Sequence, residues 1–369
     1  MIFILISTIY ILGIATVIFR GGLRKNLPYS FVLAIYTMYL FITPTYFCLA
    51  GREYIMAMYI PEYYYYKCTL IFSLGVLCFI VGYNLIPTSK LPYRAPKPLY
   101  DVKIKIIGLF LFFYSIIFVN MLSAGVNIFA VLTGKSTQDT LLGFDGSTNY
   151  LQSFSDSLVP ILIAAYYLDV RRLILLGMVL LSFLLFVLLG FRYRIILTLI
   201  GFGFAFLYKN TINTKTAVLA LLGVVFSFYI IIFSTFNRLQ LTFGKFGDLE
   251  WNPAKFDYSV IFDQTRGALP CMIVLKHYDD FPNTPHENGK TMFIYPFLTG
   301  IPRLILPNKS SYYPAPEVVI QLSAYYSVES KVAGEALLNV GNLFIAFGLW
   351  GVWLGNLIFG LLLRFYQNR

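Results

Sequence analysis

The sequence predicts an all-α fold: a polytopic transmembrane helical bundle with about nine or more spans and one large outer loop. Apolar residues make up 58% of the 369 residues and charged residues only 12%, whereas soluble domains carry roughly 25% charged residues. The apolar residues also recur in long runs, and a helix needs roughly 20 such residues to cross the hydrocarbon core of a bilayer. Lipid is therefore the expected solvent for most of the chain.

Nine apolar runs are the candidate spans. Their residues do not alternate in short segments as in a β-barrel, so each run is predicted to be helical. The first run has no basic residues before it and no small-x-small cleavage site, so we expect a retained helix. The seventh run is short for a full crossing. The nine runs are 2–19, 31–50, 68–86, 106–122, 154–170, 173–190, 195–208, 217–234 and 340–363.

The charge distribution predicts the orientation, because Lys and Arg favour the cytoplasmic side of short loops. Of the 28 Lys and Arg residues, 14 lie in the segments that nine spans place inside, together with only two of the 17 Asp and Glu residues. The N-terminus is then outside, the C-terminus is inside, and 235–339 is one large outer loop with short helical or re-entrant pieces. The whole chain, 1–369, is predicted to be a single integral membrane domain, and its +11 charge does not indicate nucleic-acid binding.

The sequence Gly190-Phe-Arg-Tyr-Arg194 lies between the sixth and seventh runs, on the predicted outer side. Arginines near lipid are costly, and the guanidinium fork matches phosphate oxygens. The start of the seventh run adds a helix N-terminus, which favours an anion. Arg192 and Arg194 are therefore candidate phosphate ligands, and the alternative is that both extend to lipid headgroups.

Three further arginines lie in the predicted outer loop: Arg238 in Thr-Phe-Asn-Arg, Arg266 in Asp-Gln-Thr-Arg-Gly, and Arg303 in Ile-Pro-Arg-Leu-Ile-Leu-Pro-Asn-Lys309. Each is a candidate phosphate ligand, and the alternative for each is a solvated loop charge. The apolar segment 291–306 contains two prolines and a glycine, which favours a short re-entrant or interfacial piece over a crossing.

Glu335 lies in Gly334-Glu-Ala-Leu-Leu-Asn-Val-Gly341, at the predicted start of the last span. Asn339 follows four residues later and would share its helix face. Glu335 is a candidate general base or sugar ligand, or else a carboxylate matched to the helix dipole. The two histidines, His277 and His286, do not have metal-ligand spacing, and no phosphate-binding loop is present. We therefore expect no metal and no cofactor.

These motifs and the layout of the chain resemble those of the Wzy-type O-antigen or oligosaccharide repeat-unit polymerases, membrane-embedded glycosyltransferases of the GT-C class. The resemblance is clearest at 190–194 and 300–341. It implies a bacterial inner-membrane enzyme whose donor and acceptor are polyprenyl-pyrophosphate-linked oligosaccharides, joined on the outer face. It also implies a polysaccharide chain-length regulator as partner.

Under this resemblance, the five arginines Arg192, Arg194, Arg238, Arg266 and Arg303 would bind pyrophosphate and Glu335 would be the base. Two alternatives share parts of this pattern. An O-antigen ligase would use the same carrier and leaving group with a different acceptor. A flippase or exporter of lipid-linked oligosaccharide would carry charges within its spans, where this sequence has few.

Overall fold

The computed structural model describes residues 2–50, 60–87, 100–123, 154–188, 192–209, 246–256, 265–294 and 338–368, with isolated positions between 218 and 240 and at 262 and 306. Within these residues the regular structure is helical throughout, and none of them lies in a β-strand. The predicted all-α class is therefore confirmed for the described part of the chain.

The helices follow the predicted apolar runs closely. Each run overlaps one helix, except 217–234, where the described positions from 218 to 236 are all helical. A single π-helical turn, Met38–Ile42, lies inside the second helix. The labelled helices are α1 Ile2–Phe19, α2 Leu27–Leu49, α3 Glu62–Leu85, α4 Tyr100–Ser123, α5 Ser155–Tyr167, α6 Arg172–Leu188, α7 Arg192–Lys209, α8 Ala268–Asp280 and α9 Asn339–Gln367.

Four of these helices, α2, α3, α4 and α9, are long and apolar enough to cross a membrane. Within the described residues, α1, α6 and α7 are apolar but shorter. Helix α5 has only 13 residues, with Pro160 inside it. The described chain thus has four candidate membrane-spanning helices, and the count of nine spans stays a prediction.

The chain forms two compact units. The first comprises 1–93 and 262–369, and the second comprises 94–261. The single integral membrane domain over 1–369 stays a prediction. Each unit has its own buried core, as the two separate hydrophobic clusters show.

In the first unit, helices α3 and α9 approach each other through glycines. A Cβ atom on Gly82 would lie 2.1 Å from the carbonyl oxygen of Leu357, and one on Gly360 would lie 2.3 Å from that of Phe79. No side chain larger than hydrogen fits at these two contacts, so backbone packs against backbone. Small residues at such contacts are typical of helix packing in membranes, where van der Waals contact replaces the hydrophobic effect.

Helix α8 lies inside the predicted outer loop, yet it is one of the most buried elements of the first unit. Nine of its 13 residues are buried, and Cys271 has no exposed surface. The sequence predicted short helical pieces within 235–339, and α8 is one such helix. The apolar stretch here is too short to span a bilayer but long enough to form a core helix.

Helix α9 is not one straight crossing. Gly348 has φ 65° and ψ −152°, a conformation essentially restricted to glycine, and it separates 339–347 from the longer helical part that follows. The two parts fold against each other, because a Cβ atom on Gly351 would lie 2.2 Å from the carbonyl oxygen of Leu343. The predicted span 340–363 thus lies within a candidate membrane-spanning helix that is bent at Gly348.

The second unit contains α4, α5, α6 and α7, with a core that includes Phe110, Leu162 and Phe186. Helices α5 and α7 are linked by an ion pair at each end. Arg194 near the start of α7 pairs with Asp156 near the start of α5. Lys209 at the end of α7 pairs with Asp169 just after α5. Because starts pair with starts and ends with ends, these two helices run in the same direction.

Candidate functional site

Arg194 is the most buried of the predicted phosphate ligands that the structure describes. Its side chain is 3% exposed, and its Nε lies 2.6 Å from Oδ1 of Asp156, whose side chain is 53% exposed. The pair lies in the first turns of two parallel helices, where free backbone N–H groups and the helix dipoles favour negative charge. An anion approaching Arg194 would share the guanidinium with Asp156.

This ion pair gives Arg194 a defined position that the sequence did not reveal. The guanidinium is held by Asp156 near the starts of α5 and α7. The Arg194 backbone is held separately, because the buried Thr198 hydroxyl donates to its carbonyl oxygen at 2.7 Å. Arg192, two residues earlier, is the first residue of α7, and its side chain lies outside the described residues. The prediction of two adjacent phosphate ligands at this helix start remains a prediction for both.

Arg266 lies in the first unit, in a turn that leads into α8. The turn is fixed by two bonds: the Leu269 amide donates to the Arg266 carbonyl oxygen at 2.8 Å, and the hydroxyls of Thr265 and Thr43 lie 2.6 Å apart. The Arg266 side chain is partly buried. A cation at the start of a helix interacts unfavourably with the helix dipole. An arginine at this position therefore does not stabilise α8 through the dipole.

The turn that carries Arg266 also contacts the start of α9. A Cβ atom on Gly267 would lie 3.0 Å from the Leu338 side chain. Leu338 has an extended backbone, with ψ 160°, and α9 begins only at Asn339. The predicted helical face shared by Glu335 and Asn339 is therefore wrong, because the non-helical Leu338 lies between them. Glu335 itself lies outside the described residues, as do Arg238 and Arg303.

The residue before Arg238 has a clear structural role. Asn237 is fully buried, and its carboxamide binds the backbone of Glu250 on both sides, accepting from the amide at 2.8 Å and donating to the carbonyl at 3.0 Å. Glu250 in turn accepts a hydrogen bond from Lys255 at 2.7 Å. Asn237 thus anchors the segment 246–256 next to the part of the chain that carries Arg238.

The structure also shows an aromatic cluster that sequence reasoning missed, formed by Tyr278, His286 and Phe344. The Tyr278 and His286 rings are stacked with centroids 4.7 Å apart, and both meet Phe344 edge to face. The adjacent Glu287 amide donates to the Ile345 carbonyl oxygen at 3.1 Å. Burial, followed by the charge of Glu287, raises the pKa of Tyr278 to about 12. His286 is exposed, so the cluster is open to solvent or ligand.

The sequence contained one signal for this cluster. Asn288 and Gly289 both have positive φ, 51° and 82°, and an Asn-Gly pair favours such a turn. The turn directs His286 and Glu287 towards the Gly348 bend. The spacing of the two histidines excludes a metal pattern, but it does not show that this turn contacts the last helix.

The described part of the chain contains no group of three or more His, Cys, Asp and Glu side chains that could hold a metal ion. Arg194 and Arg266 are cations of a type that can bind phosphate oxygens directly. A scan against protein-family models and searches of curated proteins and of solved structures find no match to this chain.

Proposed function

We propose that this protein is a membrane glycosyltransferase that polymerises polyprenyl-pyrophosphate-linked oligosaccharide repeat units into O-antigen or a related surface polysaccharide. The reaction takes place on the outer face of the bacterial inner membrane, and nine or more spans enclose its site. Its substrates are a lipid-linked donor and a lipid-linked acceptor, and a chain-length regulator is its proposed partner. No metal or cofactor takes part.

The chemistry requires few groups. A hydroxyl of the acceptor sugar attacks C1 of the donor sugar, a glycosidic C–O bond forms, and the C1–O bond to pyrophosphate breaks. The hydroxyl proton passes to a carboxylate base, and polyprenyl pyrophosphate leaves with its negative charge. Cations placed at the leaving group stabilise the charge as it develops, and a positioned carboxylate accelerates the proton transfer.

The observation that carries the proposal is the contact between Gly267 and Leu338. It brings the turn with Arg266 to the segment that leads into α9. Glu335 is three residues before Leu338, so the covalent chain keeps their Cα atoms within about 11 Å of each other. This contact supports a site in which Arg266 and the proposed base Glu335 act on the same substrate.

The other proposed roles follow from position and residue type. Arg192, Arg194, Arg238 and Arg303 are each proposed to bind phosphate oxygens of a substrate. In the second unit, the Asp156 carboxylate fixes the orientation of the Arg194 guanidinium. The aromatic cluster of Tyr278, His286 and Phe344 lies beside the Gly348 bend. We assign to it the stacking of a sugar ring, whose C–H face packs well on aromatic side chains.

Deletion of the gene in its native host tests the reaction class. If the protein is a polymerase, the surface polysaccharide ladder on a gel collapses to core plus a single repeat unit, and the wild-type gene restores it. Long chains that accumulate on the lipid carrier and never reach the core would indicate an O-antigen ligase. Lipid-linked units trapped inside the cell would indicate a flippase. An unchanged ladder would contradict all three activities.

Purified protein in liposomes with lipid-linked repeat units tests the site. We expect Arg266→Ala to lower the polymerisation rate at least 100-fold, because one transition-state ligand is lost. Arg266→Lys should recover only part of the rate, since Lys cannot form the bidentate fork. The matched control is Arg172→Ala, which removes an exposed arginine at the start of α6. Equal polymerisation rates for the two Ala variants would show that Arg266 is not part of the site.

A further inference from the structure

Two arginines meet at the end of the first unit where α1, α3 and α9 all terminate. Arg20 directly follows α1, and Arg364 lies in the last turn of α9. Both guanidinium groups face the ring of Tyr83 in the last turn of α3, with Cζ to ring-centroid distances of 5.7 Å for Arg20 and 5.0 Å for Arg364. Burial, followed by the like charge of Arg364, lowers the pKa of Arg20.

The two arginines differ in their partners. Arg20 donates to the carbonyl oxygens of Asn84 at 2.7 Å and Ile86 at 3.1 Å, so carbonyl groups at the C-terminal end of α3 satisfy its guanidinium. Arg364 is only 2% exposed, and its one hydrogen bond within the described chain is from an Nη to the Tyr83 hydroxyl at 3.1 Å. Its Nε and its other Nη are buried and have no partner there.

The surrounding sequence offers no negative charge. No Asp or Glu occurs in 1–52, 63–100 or 336–369, which include all of α1 and α9 and nearly all of α3. A buried charge without a counter-charge is strongly unfavourable. The two unpartnered donors of Arg364 therefore point to an anion that comes from outside these three helices.

We propose that the unpartnered Nε and Nη of Arg364 bind one phosphate group, supplied by the headgroup of an anionic phospholipid or by free phosphate. The two atoms form one edge of the guanidinium fork, which matches two oxygens of a phosphate. The site lies at the ends of the candidate membrane helices α3 and α9, and helices that cross a bilayer end near its headgroups. Basic pockets between helix ends are a common way of holding such headgroups.

The end of the chain supplies the cover of this phosphate site. Gln367 accepts a hydrogen bond from the same Tyr83 hydroxyl at 2.6 Å, and its carboxamide donates to the Lys25 carbonyl oxygen. Asn368 donates to the Pro87 carbonyl oxygen at 2.8 Å. Because the donors of Arg364 are out of contact with solvent, we expect a phosphate to enter when side chains at this end of the chain, such as Gln367, move.

The test uses the purified full chain in neutral detergent and phosphate-free buffer. Phosphatidylglycerol, phosphatidylcholine or inorganic phosphate is added, and thermal unfolding and native mass spectrometry are recorded. A ligand that binds the folded state raises the unfolding midpoint with its concentration. We expect phosphatidylglycerol or inorganic phosphate to raise the midpoint of the wild type and of Arg172→Met by several degrees, and phosphatidylcholine to leave it unchanged.

In Arg364→Met the concentration-dependent rise should be lost, and native mass spectra should retain one phosphatidylglycerol fewer than in Arg172→Met. Gln367→Ala keeps both proposed phosphate donors and should lower the half-saturating concentration several-fold. This variant tests the proposal even if Arg364→Met does not fold. A response to inorganic phosphate alone identifies free phosphate as the source. Equal responses of Arg364→Met and wild type, or an unchanged midpoint with every probe, would overturn the proposal.

Discussion

The two units of this protein bury their helices to very different extents. In the first unit, 56% of the most apolar window of α3 is buried inside the protein, whereas in the second unit the figure for α4 is 11%. Helix α3 reaches this burial through glycine contacts with α9. The second unit leaves much of α4 and α6 uncovered, with Phe112 and Leu173 among the exposed residues, and its α5 and α7 are joined by ion pairs. The α3–α9 pair thus depends on backbone contact, whereas the α5–α7 pair adds charge pairs at both ends.

The largest effect is expected where backbones touch. Gly82→Ala places a Cβ atom about 2.1 Å from the Leu357 carbonyl oxygen, so α3 and α9 must separate. We expect a loss of about 3 kcal/mol of unfolding free energy, the upper range for overpacking, measured by denaturant unfolding in detergent. Gly108→Ala in α4 is the matched control, because a Cβ atom there meets nothing within 4 Å. Equal stabilities of the two variants would contradict the difference between the units.

A smaller loss is expected at the bend of α9. Gly348→Ala keeps most packing but imposes a side chain on a backbone with φ 65° and brings Cβ to 2.9 Å from Nε2 of His286. The expected cost is about 2 kcal/mol. Thermal unfolding of Gly348→Ala against Gly177→Ala, whose Cβ atom meets nothing within 4 Å, measures it. Equal unfolding midpoints for Gly348→Ala and Gly177→Ala would show that the fold does not need the positive φ at residue 348.

The ion pairs of the second unit allow an internal comparison. Asp156→Asn leaves the buried Arg194 without its counter-charge, and we expect a loss of about 1.5 kcal/mol, reduced from the value for fully buried pairs because Asp156 is half exposed. Asp169→Asn removes the partner of Lys209 at a site whose carboxylate is 72% exposed, and should cost less than about 1 kcal/mol. Asn tolerates the positive φ of Asp169. The reverse order of the two losses would refute this ranking.

The smallest effect concerns the segment 246–256. Hydrogen bonding from Lys255 lowers the pKa of Glu250. A lowered folded pKa gives a contribution to stability that is present above the unfolded pKa, roughly 4.3, and is lost as pH falls through the folded value. Lys255→Met should therefore move the pKa of Glu250 upward, as followed by carboxyl NMR titration. An unchanged pKa would show that Lys255 does not act on this carboxylate.

The sequence predicted the helices better than the site. A helix satisfies its own backbone hydrogen bonds, which lipid requires, so apolar runs alone indicate where helices lie. The candidate site depends on pairs far apart in the chain. Arg194 was found as a motif, but its partner Asp156 is 38 residues away. The contact of Gly267 with Leu338 joins two motifs that the sequence presents separately.

The sequence by itself determined the helical class, the positions of the apolar helices and the turn at Asn288 and Gly289, because each follows from local composition and backbone preference. Only the tertiary structure decided that α8 is buried and that α9 bends at Gly348. It also decided that Arg194 has a carboxylate partner, whereas two donors of Arg364 have no partner among the described residues. These features depend on what the rest of the chain places beside each residue. A side chain's burial and its counter-charge are properties of its neighbours in space, and no local pattern specifies them.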